Sequence, residues 1–382
     1  MATKIKCASV GPLKRKPKIM LTRGQIQELK SSPIFNLSLS SRELFHSNFI
    51  FWVASIEPKS FREEFAKALS VEISGDFMPS HSFREKQNLD IVFSYQDHTV
   101  VIENKFKSIA NIEQLERYST LERADGAICV LLSLSKPEFF PSVGPWVGPE
   151  SRVCWHFLSY EDLAKIVSMV AKKTDDRYHA MLMGDYARVV ALIAEIADAT
   201  CVEPSDDFSF TVNAADSDFA IAEELRLSDF YLKRKYELIT SLIRAAVTDS
   251  DFSNEVAVIS HGFTRGQGLT DIKIFIADGL YLGVQIQGLQ YRKVIEVLDG
   301  DRIPAHNLAD IFSKTTWIKS FNEAHAETFP KAGSGRIFNK FGDTFKYRYF
   351  KMDPRLKISE LVDLVIAHIS EAIEIKKTWR LR

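Results

Sequence analysis

The 382-residue sequence has no apolar run near the roughly 20 residues that a bilayer-spanning helix needs. Its opening stretch, MATKIKCASVGPLKRKPKIMLTR, lacks the apolar centre of a signal peptide. Cysteine is scarce. Cys7, Cys129, Cys154 and Cys201 are widely scattered, with no CxxC pair, so neither a zinc knuckle nor a secreted disulfide scaffold is indicated. No GxxxxGK[ST] loop is present, which argues against a helicase or other NTP-driven motor. An excess of one charge is also missing: the formal net charge is −1, so any polyanion must be met by local patches. These absences predict a cytoplasmic, reduced protein. What is present is an ordinary globular composition, 46% hydrophobic and 26% charged, in a chain longer than one typical domain.

Residues 1–34 form a basic N-terminal segment whose first 23 residues contain no acid. They read as a mobile tail that either rests on phosphates or is simply solvated. A first domain is expected over 35–200. It opens with a helix over 40–57, where Ser40 and Glu43 fit a capping box, and a second helix PKSFREEFAKAL follows. Next come a hairpin over 88–106, a polar-faced helix ANIEQLERYSTLER, and strands over 127–134 and 153–160. Two helices, EDLAKIVSMVAKK and 174–198, close the segment. This order predicts an α/β core. The polar, acidic stretch 201–219 is read as a linker to a second α/β domain over 220–382. That domain has a helix near 229–247, strands over 269–276 and 281–288, a Gly/Lys-rich loop over 330–343 and a terminal helix.

The hairpin NLDIVFSYQDHTVVIENKF carries Asp90, Glu103 and Lys105 among Val, Ile and Phe. A two-residue turn at Gln96-Asp97 pairs residues whose numbers sum to 193, such as Phe93 with Val100 and Ile91 with Ile102. Asp90 then lies opposite Glu103, with Cβ atoms about 4.5–5.5 Å apart, and Lys105 points to the same face. Asn104 points to the other face. Two carboxylates at that separation repel unless a cation sits between them. Mg²⁺, with Mn²⁺ as a substitute, suits such a pair of hard oxygen donors. Lys105 would orient a water, with burial and the cation both lowering its pKa. The chemistry this fits is phosphodiester hydrolysis. The same charges also fit a solvated cross-strand ion cluster, and the spacing alone leaves both readings open.

At these residues the sequence resembles the PD-(D/E)XK nuclease superfamily, over about residues 35–200. Asp90 matches the first metal-binding acid and Glu103-Asn104-Lys105 the (D/E)-x-K element, with Leu89 where many members have proline. Glu43 stands as the candidate acid of the first core helix, with His46-Ser47 just beyond it. Gln114 and Tyr118 match a Gln-x-x-x-Tyr helix, side by side at i, i+4. Glu43 is equally accounted for by its capping box, and Gln114 and Tyr118 by an ordinary helix face. The resemblance implies a restriction-endonuclease-like mixed sheet flanked by helices. It also implies metal ligation by Asp90 and Glu103, a water-orienting Lys105, supporting roles for Glu43, Gln114 and Tyr118, and a nucleic-acid substrate, DNA before RNA. By family analogy it implies an endonuclease in phage defence or another host–phage conflict.

The segment LTDIKIFIADGLYLGVQIQGLQYRK repeats the pattern with amides. A three-residue loop Ala277-Asp278-Gly279 sets pairs summing to 556, so Asp271 faces Gln285, and Gln287 stands where the lysine would. On this reading the second domain is a degenerate, metal-free repeat. It would grip substrate or a protein partner, or mediate homo-oligomer contact, using Lys233, Arg234, Lys235, Arg292 and Lys293. The rival for the whole chain is a non-catalytic nucleic-acid or protein-binding module on a nuclease scaffold.

Overall fold

The computed structural model describes residues 22–86, 89–121, 124, 126–148, 153–199, 217–277, 279–297, 317, 331–332, 339–341, 344–353 and 355–379. The basic tail over 1–21 and most of the expected linker lie outside these residues. No described helix is long and apolar enough to cross a membrane. The chain divides into two compact units. The described residues of Lys14–Cys201 with Glu224–Phe230 form one; the other is built mainly on Tyr231–Arg382.

In the first unit, helix α1 (Arg23–Ser31) leads into α2 (Pro33–Ile56) and α3 (Pro58–Leu69). The capping box expected at Ser40 and Glu43 is overturned, because both residues lie inside α2. The helix starts at Ser32 instead. Its side chain accepts from the Phe35 N–H, and Pro33 fills the first helical position, where a missing N–H costs nothing. Glu43 is thereby released from a capping role.

The sheet combines β1 (Phe83–Lys86), β2 (Leu89–Ser94), β3 (Thr99–Lys105), β4 (Ile128–Ser133), β5 (Trp146–Val147) and β6 (Cys154–Ser159), in the order β1-β2-β3-β4-β6-β5. Strands β1, β2 and β3 are antiparallel, whereas β3, β4 and β6 run parallel. The β2–β3 register is the expected one: Ile91 pairs with Ile102, and Phe93 with Val100. The turn closes as Tyr95 N–H donates to His98 O at 2.8 Å. Helix α4 (Ile112–Ser119) crosses between β3 and β4, capped by Asn111, whose side-chain oxygen takes the Gln114 N–H at 2.8 Å. Helices α5 (Tyr160–Lys173) and α6 (Arg177–Ala199) follow β6.

Both faces of β2 and β3 are covered, which explains their nearly continuous apolar runs. On one face Val92, Val101, Leu115, Leu131 and Trp155 share a core with α4. On the other, Phe93 stacks on Phe51 of α2 and meets Phe61 of α3 edge-on, with centroids 5.8 and 5.6 Å away. This is the mixed sheet flanked by helices that the resemblance implied.

After α7 (Ser217–Glu224), the second unit sets α8 (Ser228–Thr248) and α9 (Ile358–Trp379) against an antiparallel sheet. Its strands are β7 (Val256–Thr264), β8 (Gln267–Ala277), β9 (Leu280–Gln287), β10 (Gln290–Val297), β11 (Lys331–Ala332), β12 (Asn339–Phe341) and β13 (Phe345–Lys351). They run in the order β11-β13-β10-β9-β8-β7, with β12 on β13. Ile272, Ile274, Leu282 and Val284 meet Ile239, Leu361 and Val365 in its core.

Asp271 does pair with Gln285. Other details differ from expectation. Ala277 pairs with Leu280, so the even register comes from a bulge before Ala277 rather than from a three-residue loop. Gly279 is left-handed as expected, with φ 77°. Gln290-Tyr291 opens the antiparallel strand β10, where the first unit has a helix and a parallel strand. The two hairpins therefore each set an Asp across from a longer oxygen-bearing side chain, but in registers of different parity, and their surroundings do not repeat. Part of the loop expected at 330–343 is strand, at β11 and β12.

The expected cationic grip is also largely internal. Lys293 is 0% exposed and ion-paired to Glu371 at 2.6 Å, Lys235 is buried, and Arg234 pairs with Glu237. Arg292 is held by the side-chain oxygens of Gln285 and Gln290 at 2.7 and 2.6 Å.

Candidate active site

Strand β2 carries Asp90 and β3 carries Glu103 and Lys105, and the register brings all three to one end of the β2–β3 ladder. Asp90 Oδ2 accepts the backbone N–H of Asn104 at 2.7 Å, which ties the aspartate to the strand bearing its partner. Glu103 is 1% exposed. Its Oε1 accepts from Lys105 Nζ at 2.5 Å and from Gln114 Nε2 at 2.8 Å. Its Oε2 is buried without a partner. An orphaned carboxylate oxygen in such surroundings is costly, and hard cations bind such atoms.

Helix α4 positions Gln114 and Tyr118 as the i, i+4 spacing predicted: Gln114 Nε2 also donates to the Tyr118 hydroxyl at 2.9 Å. Glu43 projects from α2, and its carboxylate accepts from Ser108 Oγ. Its charge acts on Asp90, Glu103 and Lys105 alike. Among the described residues, no three acids, histidines or cysteines stand close enough to hold a metal by themselves. The register leaves Asp90 and Glu103 as the facing pair.

The electrostatics follow from burial and crowding. Burial, then the neighbouring Asp90 charge, pushes Glu103 up to about 8. Burial raises Asp90 as well, opposed by the Asn104 N–H. Lys105 departs from expectation. Burial pulls its pKa down, but Glu103 and the other carboxylates outweigh that pull, and the net shift is upward. Lys105 is an ammonium held by Glu103. His46 is 0% exposed and pushed down to about 3 by burial and then by Lys107, so it stays neutral and supplies no base at ordinary pH. Lys107 itself donates to the Arg226 carbonyl at 3.1 Å.

Three supports escaped the sequence reading. Asn104 was placed on the opposite face, and there it does specific work. Its Nδ2 donates to Ser47 Oγ at 3.0 Å and to the Glu43 carbonyl at 3.1 Å, while its Oδ1 accepts from the Tyr160 hydroxyl at 2.5 Å. This clamps β3 to the helix carrying Glu43. Ser108 was missed because no motif marks it. Glu85, whose carboxylate hydrogen-bonds to Ser47, was missed because β1 was not foreseen as a strand.

Residues 33–188 match the family model of the PD-(D/E)XK nuclease superfamily. No curated protein and no solved structure gives a significant match. The matched segment contains Glu43, Asp90, Glu103, Lys105, Gln114 and Tyr118.

Proposed function

We propose that the protein is a Mg²⁺-dependent nuclease that hydrolyses phosphodiester bonds of DNA, with Mn²⁺ able to replace Mg²⁺. The observation that carries this reading is the buried, unpartnered Glu103 Oε2 beside Asp90 and Lys105, inside a nuclease-superfamily segment. Asp90 and Glu103 would hold the cation. When bound, the ion supplies charge stabilisation at a phosphate oxygen and acidifies a water. The other groups act around it. Lys105, kept protonated, donates hydrogen bonds that orient the attacking water and meet the charged phosphate. Gln114 holds Glu103 Oε1, so that Oε2 is left for the ion, and Tyr118 holds Gln114. Glu43 adds a third carboxylate from α2. A cytoplasmic role in host–phage conflict, with endonucleolytic attack, fits this chemistry and is part of the proposal.

The test is a substrate panel: plasmid, linear and single-stranded DNA, and RNA, each with Mg²⁺ or Mn²⁺ and with a chelator. Metal-dependent cleavage of DNA that is absent in Lys105→Ala supports the reading. Preferential cleavage of RNA would correct its substrate. A folded protein that binds these nucleic acids without cutting them would favour the non-catalytic module.

A further inference from the structure

The amides of the second hairpin have a use apart from any metal. Arg292 pairs with Gln285 across β9 and β10 and with Tyr349 across β10 and β13, so one row of side chains crosses three strands. The neighbouring residues Val284, Tyr291 and Phe350 point the other way, into the core shared with α8 and α9. The row therefore lies on the face turned away from the helices. There Arg292 donates to Gln285 Oε1 at 2.7 Å and to Gln290 Oε1 at 2.6 Å, and its guanidinium stands 4.7 Å from the centroid of the Tyr347 ring. Both amide oxygens hold one cation in place.

Along β13 the alternate residues Phe345, Tyr347 and Tyr349 share that face. Their ring centroids lie 5.8 and 6.3 Å apart, and the planes are tilted by 55° and 37°, so the rings do not cover one another. All three are half-buried rather than packed into the core. A row of such rings beside a fixed guanidinium suits flat, anionic ligands. Charge favours the same ligand. Among the described strand residues, the acids on this face are Asp271 and Glu296, and Lys273 engages both, at 3.1 and 2.6 Å. The partners of Arg292 are neutral. Lys351, exposed and paired to Gln290, stands one row further on.

We propose that this face of β10 and β13 is a binding platform for single-stranded nucleic acid. Tyr347 and Tyr349 stack on bases, and Arg292 and Lys351 meet phosphates. Unpaired bases present the flat surfaces that such rings take, whereas a duplex hides them in its own stack. The choice of a nucleic acid as ligand rests on the nuclease reading above; the platform itself needs neither catalysis nor a metal.

The test is fluorescence anisotropy in EDTA. A labelled thymidylate strand and a duplex, each about 20 nucleotides long, are titrated with the full chain as wild type, Tyr347→Ala, Tyr349→Ala, Tyr349→Trp and Arg292→Gln. Each alanine variant should bind the single strand about 5–50-fold more weakly, at an unchanged melting temperature. Arg292→Gln should flatten the slope of log K against log salt by about 0.7, the share of one phosphate contact on a single strand. Tyr349→Trp should keep the affinity, and its added emission should be quenched on binding, which reads the site where an alanine variant melts lower. Unchanged affinity in the folded alanine variants, or an added tryptophan that the strand does not quench, would overturn the platform. So would a duplex bound as tightly as the single strand, or no binding by folded wild type. Lost self-association in the alanine variants, with strand binding intact, would overturn it in favour of a second copy of the chain. Because all of this is read without a metal, a chain that never cuts DNA would contradict the nuclease reading and leave a measured platform standing.

Discussion

Gln114 Nε2 bridges Glu103 Oε1 and the Tyr118 hydroxyl, at 2.8 and 2.9 Å, and so fixes which oxygen of Glu103 is left without a partner. This makes Gln114 a positioning residue. Gln114→Ala should lower the DNA cleavage rate about 10–100-fold at saturating metal, with little change in melting temperature. Tyr118→Phe, which keeps the ring, should lose less. Single-turnover rates beside thermal melts check this. A Gln114→Ala enzyme as fast as wild type would remove Gln114 from the account.

Glu103 makes the metal-free fold sensitive to pH. Its folded value of about 8 lies above its ordinary value of 4.5. The folded state therefore binds the proton more tightly than the unfolded chain. The stability it contributes is fully present below about pH 4.5 and is lost as pH rises through about 8. Glu103→Gln keeps the acceptor for Lys105 and Gln114 without the buried charge. At pH 8 in EDTA it should be more stable than wild type by about 1–3 kcal/mol, an advantage that fades towards pH 5. Denaturant titrations at the two pH values measure this.

The same proton opposes the cation. Below about pH 8 a divalent ion must displace it from Glu103, so Mn²⁺ affinity should fall as the solution is acidified, by at most about tenfold per unit. Calorimetry in two buffers of different ionisation heat would register the released proton. Affinity independent of pH between 6 and 8 would mean that Glu103 binds the ion without giving one up.

Asn104, the middle residue of the Glu-x-Lys element, is a clamp. Asn104→Ala removes its bonds to Ser47, the Glu43 carbonyl and Tyr160, and leaves the buried Tyr160 hydroxyl without the Asn104 acceptor. A loss of about 1–3 kcal/mol in stability is expected. Tyr160→Phe should cost less, because Asn104 keeps its contacts to α2.

What the sequence made legible follows period and register. The apolar alternation of β2 and β3 admits one pairing that keeps like faces together, and that pairing carried Asp90 and Glu103 into place. Helical spacing did the same for Gln114 and Tyr118. Signals of single residues were weaker. Ser40 and Glu43 fit a capping box, yet the helix begins eight residues earlier, where Ser32 caps it and Pro33 fills its first position. Strand β1 was too short and polar to be seen, and with it Glu85 was lost. In the second unit the hairpin register was again readable. Its environment was not, because a parallel and an antiparallel neighbour strand both follow from the same local pattern. The upward shift of Lys105 depends on how many carboxylates surround it, which no local pattern records.

The central claim is that Asp90, Glu103 and Lys105 form a cation-dependent centre for cutting DNA. It is tested most directly by the cleavage rate of Glu103→Gln against wild type, at equal protein and Mg²⁺, with folding checked in the same samples. The account predicts metal-dependent cleavage by wild type and a loss of at least about 1,000-fold in the folded variant. Wild-type cleavage that persists in Glu103→Gln would contradict it.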